Sequence, residues 1–155
     1  MGYPYVIGHD KESHEGPAGS APRCGPEAVS SRFPGTAQKT ILVVDDDDGI
    51  LSFVSGLLAS YDYNVLAARS GEEGLQRSRD CKHEIHLLLA DFQMPGMTGI
   101  DLATQMSIER SGLKVLLMSG FTGGMLVLNQ GWHFLAKPFI SSQLSALIVD
   151  LIGKC

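Results

Sequence analysis

Ile41-Leu42-Val43-Val44-Asp45-Asp46-Asp47-Asp48 is the stretch that decides how this chain is read. Its first four residues are aliphatic, mostly β-branched and uncharged, the pattern of a strand buried on both faces of a parallel sheet. The run then ends in four carboxylates. Open α/β sheets bind ligands at the carboxyl edge of their strands. Carboxylates packed this closely repel one another unless a cation joins them or a proton is taken up. The segment therefore points to a buried strand with an acidic site at its end.

Outward from that strand, apolar runs alternate with amphipathic ones. Strands are predicted over 41–45, 64–67, 85–90, 114–118 and 133–136. Between and after them lie helical patterns over 49–60, 72–79, 100–110, a short 124–130, and 141–152. In the first helix Ile50, Phe53, Val54, Leu57 and Leu58 recur at helical spacing, and Leu144, Leu147, Ile148, Leu151 and Ile152 do so in the last. Ser70 with Glu73 reads as a capping box opening the second helix. Five strands alternating with five helices predict an α/β fold, a doubly wound five-stranded parallel sheet with helices on both faces.

Composition narrows the function. With 155 residues the chain holds one domain with a substantial core. A net charge of −5 without a Lys/Arg cluster argues against direct nucleic-acid binding. The apolar runs are too short for a membrane span, and the amino terminus lacks the basic and apolar regions of a signal peptide. Cys24, Cys81 and Cys155 form no metal-type pair, so the expectation is a reduced, cytoplasmic protein. His9, His14, His83 and His86 lack the further ligands of a closed metal site and read as solvated. Residues 1–38 hold five of the seven prolines and six of the eighteen glycines, with no sustained period. They are expected to form a disordered extension, leaving 39–155 as the folded domain. A passive tail is the favoured reading there; a weak docking patch at Tyr3, Tyr5, Val6 and Ile7 is the other.

The chemistry gathers at the carboxyl ends of the predicted strands. Asp45 and Asp46 follow the first, Asp91 the third and Ser119 the fourth, while Lys137 ends the fifth and precedes Pro138. Acids, a hydroxyl and an ammonium brought to one rim suit phosphoryl transfer. Carboxylates can hold Mg²⁺ through oxygen, one can attack phosphorus, and the lysine can neutralise phosphoryl oxygens. Asp47 and Asp48 read instead as the start of a helix, where negative charge is favourable.

VVDDDD, LLLADFQMPGMTG, VLLMSG and FLAKPF together resemble, in order and approximate spacing, the receiver domain of two-component response regulators. The likeness runs over residues 40–155. It implies the (βα)5 flavodoxin-like receiver fold and a signalling module rather than a conventional enzyme, one that catalyses its own phosphorylation and dephosphorylation. It implies that Asp91 accepts a phosphoryl group from a histidine kinase or phosphotransfer protein. Asp45, Asp46, Asp91 and the backbone carbonyl of Gln93 would hold Mg²⁺, and Lys137 would pair with the phosphoryl oxygens across a cis bond to Pro138. Ser119 and Phe134 would be the switch residues, passing the change to a partner-binding face and, in some receivers, to a phosphorylation-dependent dimer. The Met118-Ser119-Gly120-Phe121 strand end also looks like receivers fused to hybrid histidine kinases.

Two features depart from that pattern. Ser119 and Lys137 are only eighteen residues apart, which shortens the fourth helix, and Phe134 lacks a hydroxyl. The chain stops soon after the last predicted helix, so output is expected through a partner. A competing enzyme reading takes Asp46-Asp47-Asp48-Gly49 as the Asp-x-Asp-Gly opening of haloacid-dehalogenase-like phosphatases, with Asp46 as nucleophile. It leaves Asp91-Met94-Pro95 without a role and finds no acidic pair after Lys137, where Asp150 stands alone.

Overall fold

The computed structural model describes residues 38–120 and 131–154. Nine elements follow in chain order: β1 (Thr40–Val44), α1 (Asp48–Ser60), β2 (Asn64–Ala68), α2 (Gly71–Asp80), β3 (Leu87–Asp91), α3 (Gly99–Glu109), β4 (Lys114–Ser119), β5 (Trp132–Ala136) and α4 (Ser141–Ile152). All five strands pair in parallel in the order β2-β1-β3-β4-β5. This is the flavodoxin-like doubly wound order, in which the winding reverses between β1 and β3. The helix expected over 124–130 and residues 1–37 of the extension expected over 1–38 lie outside the described residues.

The apolar run of β1 is buried on both faces, and its side chains alternate between two cores. Leu42 and Val44 pack with Leu88, Ala90, Leu102 and Met106, on the face covered by α2 and α3. Ile41 and Val43 pack with Leu87, Leu89, Val54, Leu144 and Ile148, on the face covered by α1 and α4. An uninterrupted aliphatic run is what a strand with two covered faces requires, because neither parity meets water.

Local signals set the helix starts. Asp47 caps α1, its Oδ1 accepting the amides of Gly49 and Ile50 at 2.8 and 3.1 Å, so the second half of the aspartate quartet opens a helix. Asp48 in the first turn pairs with Arg69 on the exposed surface. Ser70 caps α2 as expected, but Glu73 returns to the amide of Arg69 rather than to that of Ser70, at 2.8 Å. A full capping box occurs at α3 instead, between Thr98 and Asp101.

The strand boundaries each shift by one or two residues from expectation, and two of the shifts matter most. β3 begins at Leu87 rather than Ile85, and beside its start the Thr40 amide donates to the His86 ring Nδ1 at 3.1 Å. Trp132 opens β5 opposite Val115, one residue before the expected 133–136, and packs half-buried against the α2/α3-side core.

Candidate functional site

The site is assembled by register. Ile41 of β1 lies opposite Leu87 of β3, and the pairing runs to Val44 opposite Ala90. One further step sets Asp45 beside Asp91. Both continue the parity of Val43 and Leu89, whose side chains enter the α1/α4-side core. Lys137 stands two residues beyond Leu135, which belongs to that same core. Three residues remote in sequence therefore emerge on one side of the sheet, at the reversal point where doubly wound sheets place ligands.

Lys137 Nζ donates to Asp45 Oδ2 at 2.8 Å and to Asp91 Oδ1 at 2.9 Å. The other Asp45 oxygen, Oδ1, accepts the amide of Asp47 at 2.9 Å. Asp45 is 1% exposed and Asp91 8%, while Asp46 faces solvent. Carboxylate oxygens of Asp45, Asp46 and Asp91 lie within 4.8 Å of one another. Octahedral coordination at about 2.1 Å sets opposite ligand oxygens about 4.2 Å apart, so the spread and the all-oxygen donor set suit a small hard cation.

Electrostatics strain the cluster. Burial pushes the Asp91 carboxyl above its ordinary range, the Asp45 and Asp46 charges add to this, and Lys137 opposes it without prevailing. At Lys137 burial favours the neutral amine, yet its bonds to Asp45 and Asp91 outweigh that and hold the ammonium above its usual range. One ammonium among three carboxylates leaves the pocket net negative. It is built to receive more positive charge.

The other expected residues take these places. Ser119 ends β4, is 2% exposed, and follows Met118, the register partner of Asp91. Its carbonyl accepts the amide of Lys137 at 2.7 Å, which ties the β5 end to the β4 end. The Lys137–Pro138 peptide bond is cis. Phe134 lies opposite Leu117, half-buried against the α2/α3-side core. Gln93 is exposed, two residues beyond Asp91.

Gly99 is a site residue that the motif contained but the sequence reading gave no task. A Cβ there would run into the backbone carbonyl oxygen of Asp91 and approach Phe92 Cα at 3.3 Å. The first turn of α3 is thus pressed onto the backbone that carries Asp91, and the Gly99 amide donates to the Phe92 carbonyl at 3.2 Å. We expect Gly99→Ala to displace Asp91 and to cost about 2–3 kcal/mol, the range of overpacking against an unyielding wall. Urea unfolding measures this, and an unchanged midpoint would contradict the close approach.

Comparisons with known proteins identify the family. Residues 41–149 match the family model described as the response regulator receiver domain. The sensor kinase CckA of Brucella abortus is 28% identical over 119 residues, covering 74% of this chain and 13% of that protein. The crystal structure of the receiver domain from the hybrid histidine kinase CckA superposes with a TM-score of 0.65 at 30% identity, over 73% of this chain and 98% of that one. The response regulator TrrA from Thermotoga maritima, solved in complex with Mg²⁺ and BeF, superposes with a TM-score of 0.66 at 25% identity, over 74% and 99%. The chain spans only 13–34% of the length of curated relatives such as CckA and the two-component response regulator ARR14 of Arabidopsis thaliana. The phosphatase alternative gains no support from these matches, and Asp46, its nucleophile, is the exposed member of the acidic group. With the sheet order, the convergent acids and a match over 41–149, the chain belongs to the response regulator receiver domain family.

Proposed function

We propose that this chain is a phospho-accepting receiver in a two-component or phosphorelay pathway, with Asp91 as the acceptor. The observation that carries this reading is the Lys137 ammonium held between Asp45 and Asp91 at 2.8 and 2.9 Å, at the carboxyl edge of the sheet. An Asp91 oxygen attacks the phosphorus of a phosphohistidine, the phosphorus–nitrogen bond breaks, and the imidazole leaves and takes up a proton. The product is an acyl phosphate on Asp91. Lys137 moves its pairing from the Asp91 carboxylate to the phosphoryl oxygens, and the Ser119 hydroxyl donates to another of them.

Asp45, Asp46, Asp91 and the Gln93 carbonyl would hold Mg²⁺, Asp45 largely through water. Bound there, Mg²⁺ supplies the charge neutralisation that a net-negative pocket otherwise lacks. Phosphorylation adds about two negative charges at one point and shifts a pre-existing equilibrium between two states, with Ser119 and Phe134 as the moving residues. The remainder of the loop after Gly120 lies outside the described residues.

The phosphodonor is a histidine kinase or phosphotransfer protein. Beside the acceptor, Ile50, Phe53, Pro138 and Phe139 line an open cavity of about 380 Å³ together with Lys137. Phe53 is 51% exposed and the neighbouring Ile140 63%, which makes an apolar rim suited to a helical partner. Residues 39–155 form the receiver unit in this reading, acting in the cytoplasm on a partner protein without contacting DNA.

Incubation of the full chain with acetyl phosphate and Mg²⁺ tests the proposal. Intact-mass spectrometry should show one phosphoryl addition, stripped by hydroxylamine and prevented by EDTA. Asp46→Ala should weaken Mg²⁺ binding and raise the Mg²⁺ concentration needed for half-maximal phosphorylation by about tenfold or more, at least the loss that follows removal of a group merely supporting a metal ligand. A mass addition that is indifferent to EDTA would remove the metal from the reading.

A further inference from the structure

We propose that the amino-terminal segment Tyr3-Pro4-Tyr5-Val6-Ile7 of this chain docks, within the same molecule, into an apolar pocket at the amino edge of the sheet. The pocket lies opposite the acidic site, between the end of α1 and the outer face of α4. Its cavity of about 650 Å³ is lined by an apolar group, Leu58, Tyr61, Tyr63, Ala146, Ile148 and Val149, and also by the polar Ser60, Asp62, Ser145, Asp150 and Lys154. That volume falls in the range of built ligand sites, roughly 300–1,000 Å³. Tyr61, on its wall, is 48% exposed.

The root of the amino-terminal segment sits on this pocket. Lys39 immediately precedes β1, and its carbonyl accepts the amide of Asn64 at 3.0 Å, next to Tyr63. Lys39 Nζ donates to the carbonyls of Ile152 and Lys154, the second at 3.2 Å, and Lys154 lines the cavity. Tyr63 Oη donates to the Gly153 carbonyl at 2.8 Å, closing the floor between β2 and the end of α4. The chain therefore enters the fold at the pocket's edge rather than across the domain from it.

Residues 1–37 offer one concentrated apolar group. Tyr3, Tyr5, Val6 and Ile7 fall within five positions, and the remaining aromatic residue there, Phe33, stands alone between Arg32 and Pro34. Residues 8–38, 31 in number, join this group to Lys39. A chain of that length rich in Gly, Ser and Pro has an end-to-end distance of roughly 30 Å, about the width of a domain this size. Tethering at that range sets an effective concentration near millimolar, so a site of only millimolar affinity is substantially filled. Pro4 restricts the segment before it binds and reduces the entropy lost on docking.

Paramagnetic relaxation in the full chain tests this. A nitroxide is placed on Gly2→Cys in a Cys24→Ser, Cys155→Ser background, where Cys81 is buried. The amides of Tyr61, Tyr63, Ala146 and Val149 should broaden strongly while those around Asp91 do not. Tyr5→Ser with Ile7→Ser should return them to background, and so should Ala146→Glu, at an exposed position where the fold tolerates it. Broadening that is absent, spread evenly over the surface, or unchanged by Tyr5→Ser with Ile7→Ser overturns the proposal. So does broadening that persists when labelled and isotopically enriched chains are different molecules, which would make a second copy the occupant.

Discussion

Asp91→Asn takes up no phosphoryl group from acetyl phosphate in the presence of Mg²⁺, and its incorporation falls by about 100-fold or more, to background. The amide keeps the shape of the side chain and removes its nucleophilic charge. The same substitution should make the protein more stable. Burial, with Asp45 and Asp46 nearby, raises the Asp91 carboxyl above its ordinary range. A folded-state pKa above the unfolded one means that stability is fully present at low pH and is lost as pH rises through the raised value. At neutral pH the ionised Asp91 is therefore a cost, and Asn removes it. The gain should be about 1 kcal/mol, a few degrees in melting temperature for a chain of this size. A variant both more stable and unreactive identifies a site held against its own stability for chemistry. Incorporation at the wild-type level in Asp91→Asn would sink the assignment.

Lys137→Met should act in the opposite direction. Lys137 is the charge that holds Asp45 and Asp91 together, with only 18% of its side chain exposed. Removing one partner of a buried ion pair leaves the other uncompensated, and the cost is about 3 kcal/mol near neutral pH. The pH profile then tells electrostatics from packing. Without the ammonium, burial and the neighbouring acids push Asp91 up unopposed, so a proton can take the place of Lys137. Stability should recover as pH falls into the acidic range and be lost again as it rises. Mg²⁺ should restore much of it at neutral pH, because a cation that binds only the folded chain stabilises by about 2.7 kcal/mol at 100 times its dissociation constant. Thermal melts of Lys137→Met with and without Mg²⁺ measure this. A loss independent of both pH and Mg²⁺ would show that Lys137 serves packing alone.

Much of this site is legible in the residues, for a physical reason. A strand with two covered faces must be aliphatic throughout, so Ile41–Val44 and Leu87–Ala90 are visible as strands, and the polar residues that end them fall on one rim. What periodicity cannot show is the pairing register, which sets Asp45 beside Asp91, nor the opposition of Asp91 to Met118 that leaves Ser119 one step beyond. The role of Gly99 was equally hidden. Its motif position was plain, but the reason for it is a close approach of α3 to the Asp91 backbone, a tertiary fact without a local signature. The bond from the Thr40 amide to the His86 ring Nδ1, beside the start of β3, is likewise a side-chain contact that no propensity encodes. The aspartate quartet divides as its chemistry suggests. Asp45 and Asp46 join the acidic cluster, and Asp47 and Asp48 open α1.

The pH dependence of acceptance follows from the same geometry. In the metal-free protein Asp91 should take up a proton sooner on acidification than an exposed aspartate would, so Mg²⁺, which needs the carboxylate, should bind more weakly as pH falls, and with it phosphoryl uptake should decline. Unfolding of the cluster is not needed for that loss, since Lys137 keeps its pairing with Asp45.

Chemical trapping of the phosphorylated residue bears most directly on the central claim. The chain is phosphorylated with acetyl phosphate and Mg²⁺, the acyl phosphate is reduced with borohydride to homoserine, and the digest is sequenced by mass spectrometry. Homoserine at position 91 is the predicted result. Homoserine at position 46, with Asp91 intact, would contradict the account and return the aspartate quartet to the role of reactive centre.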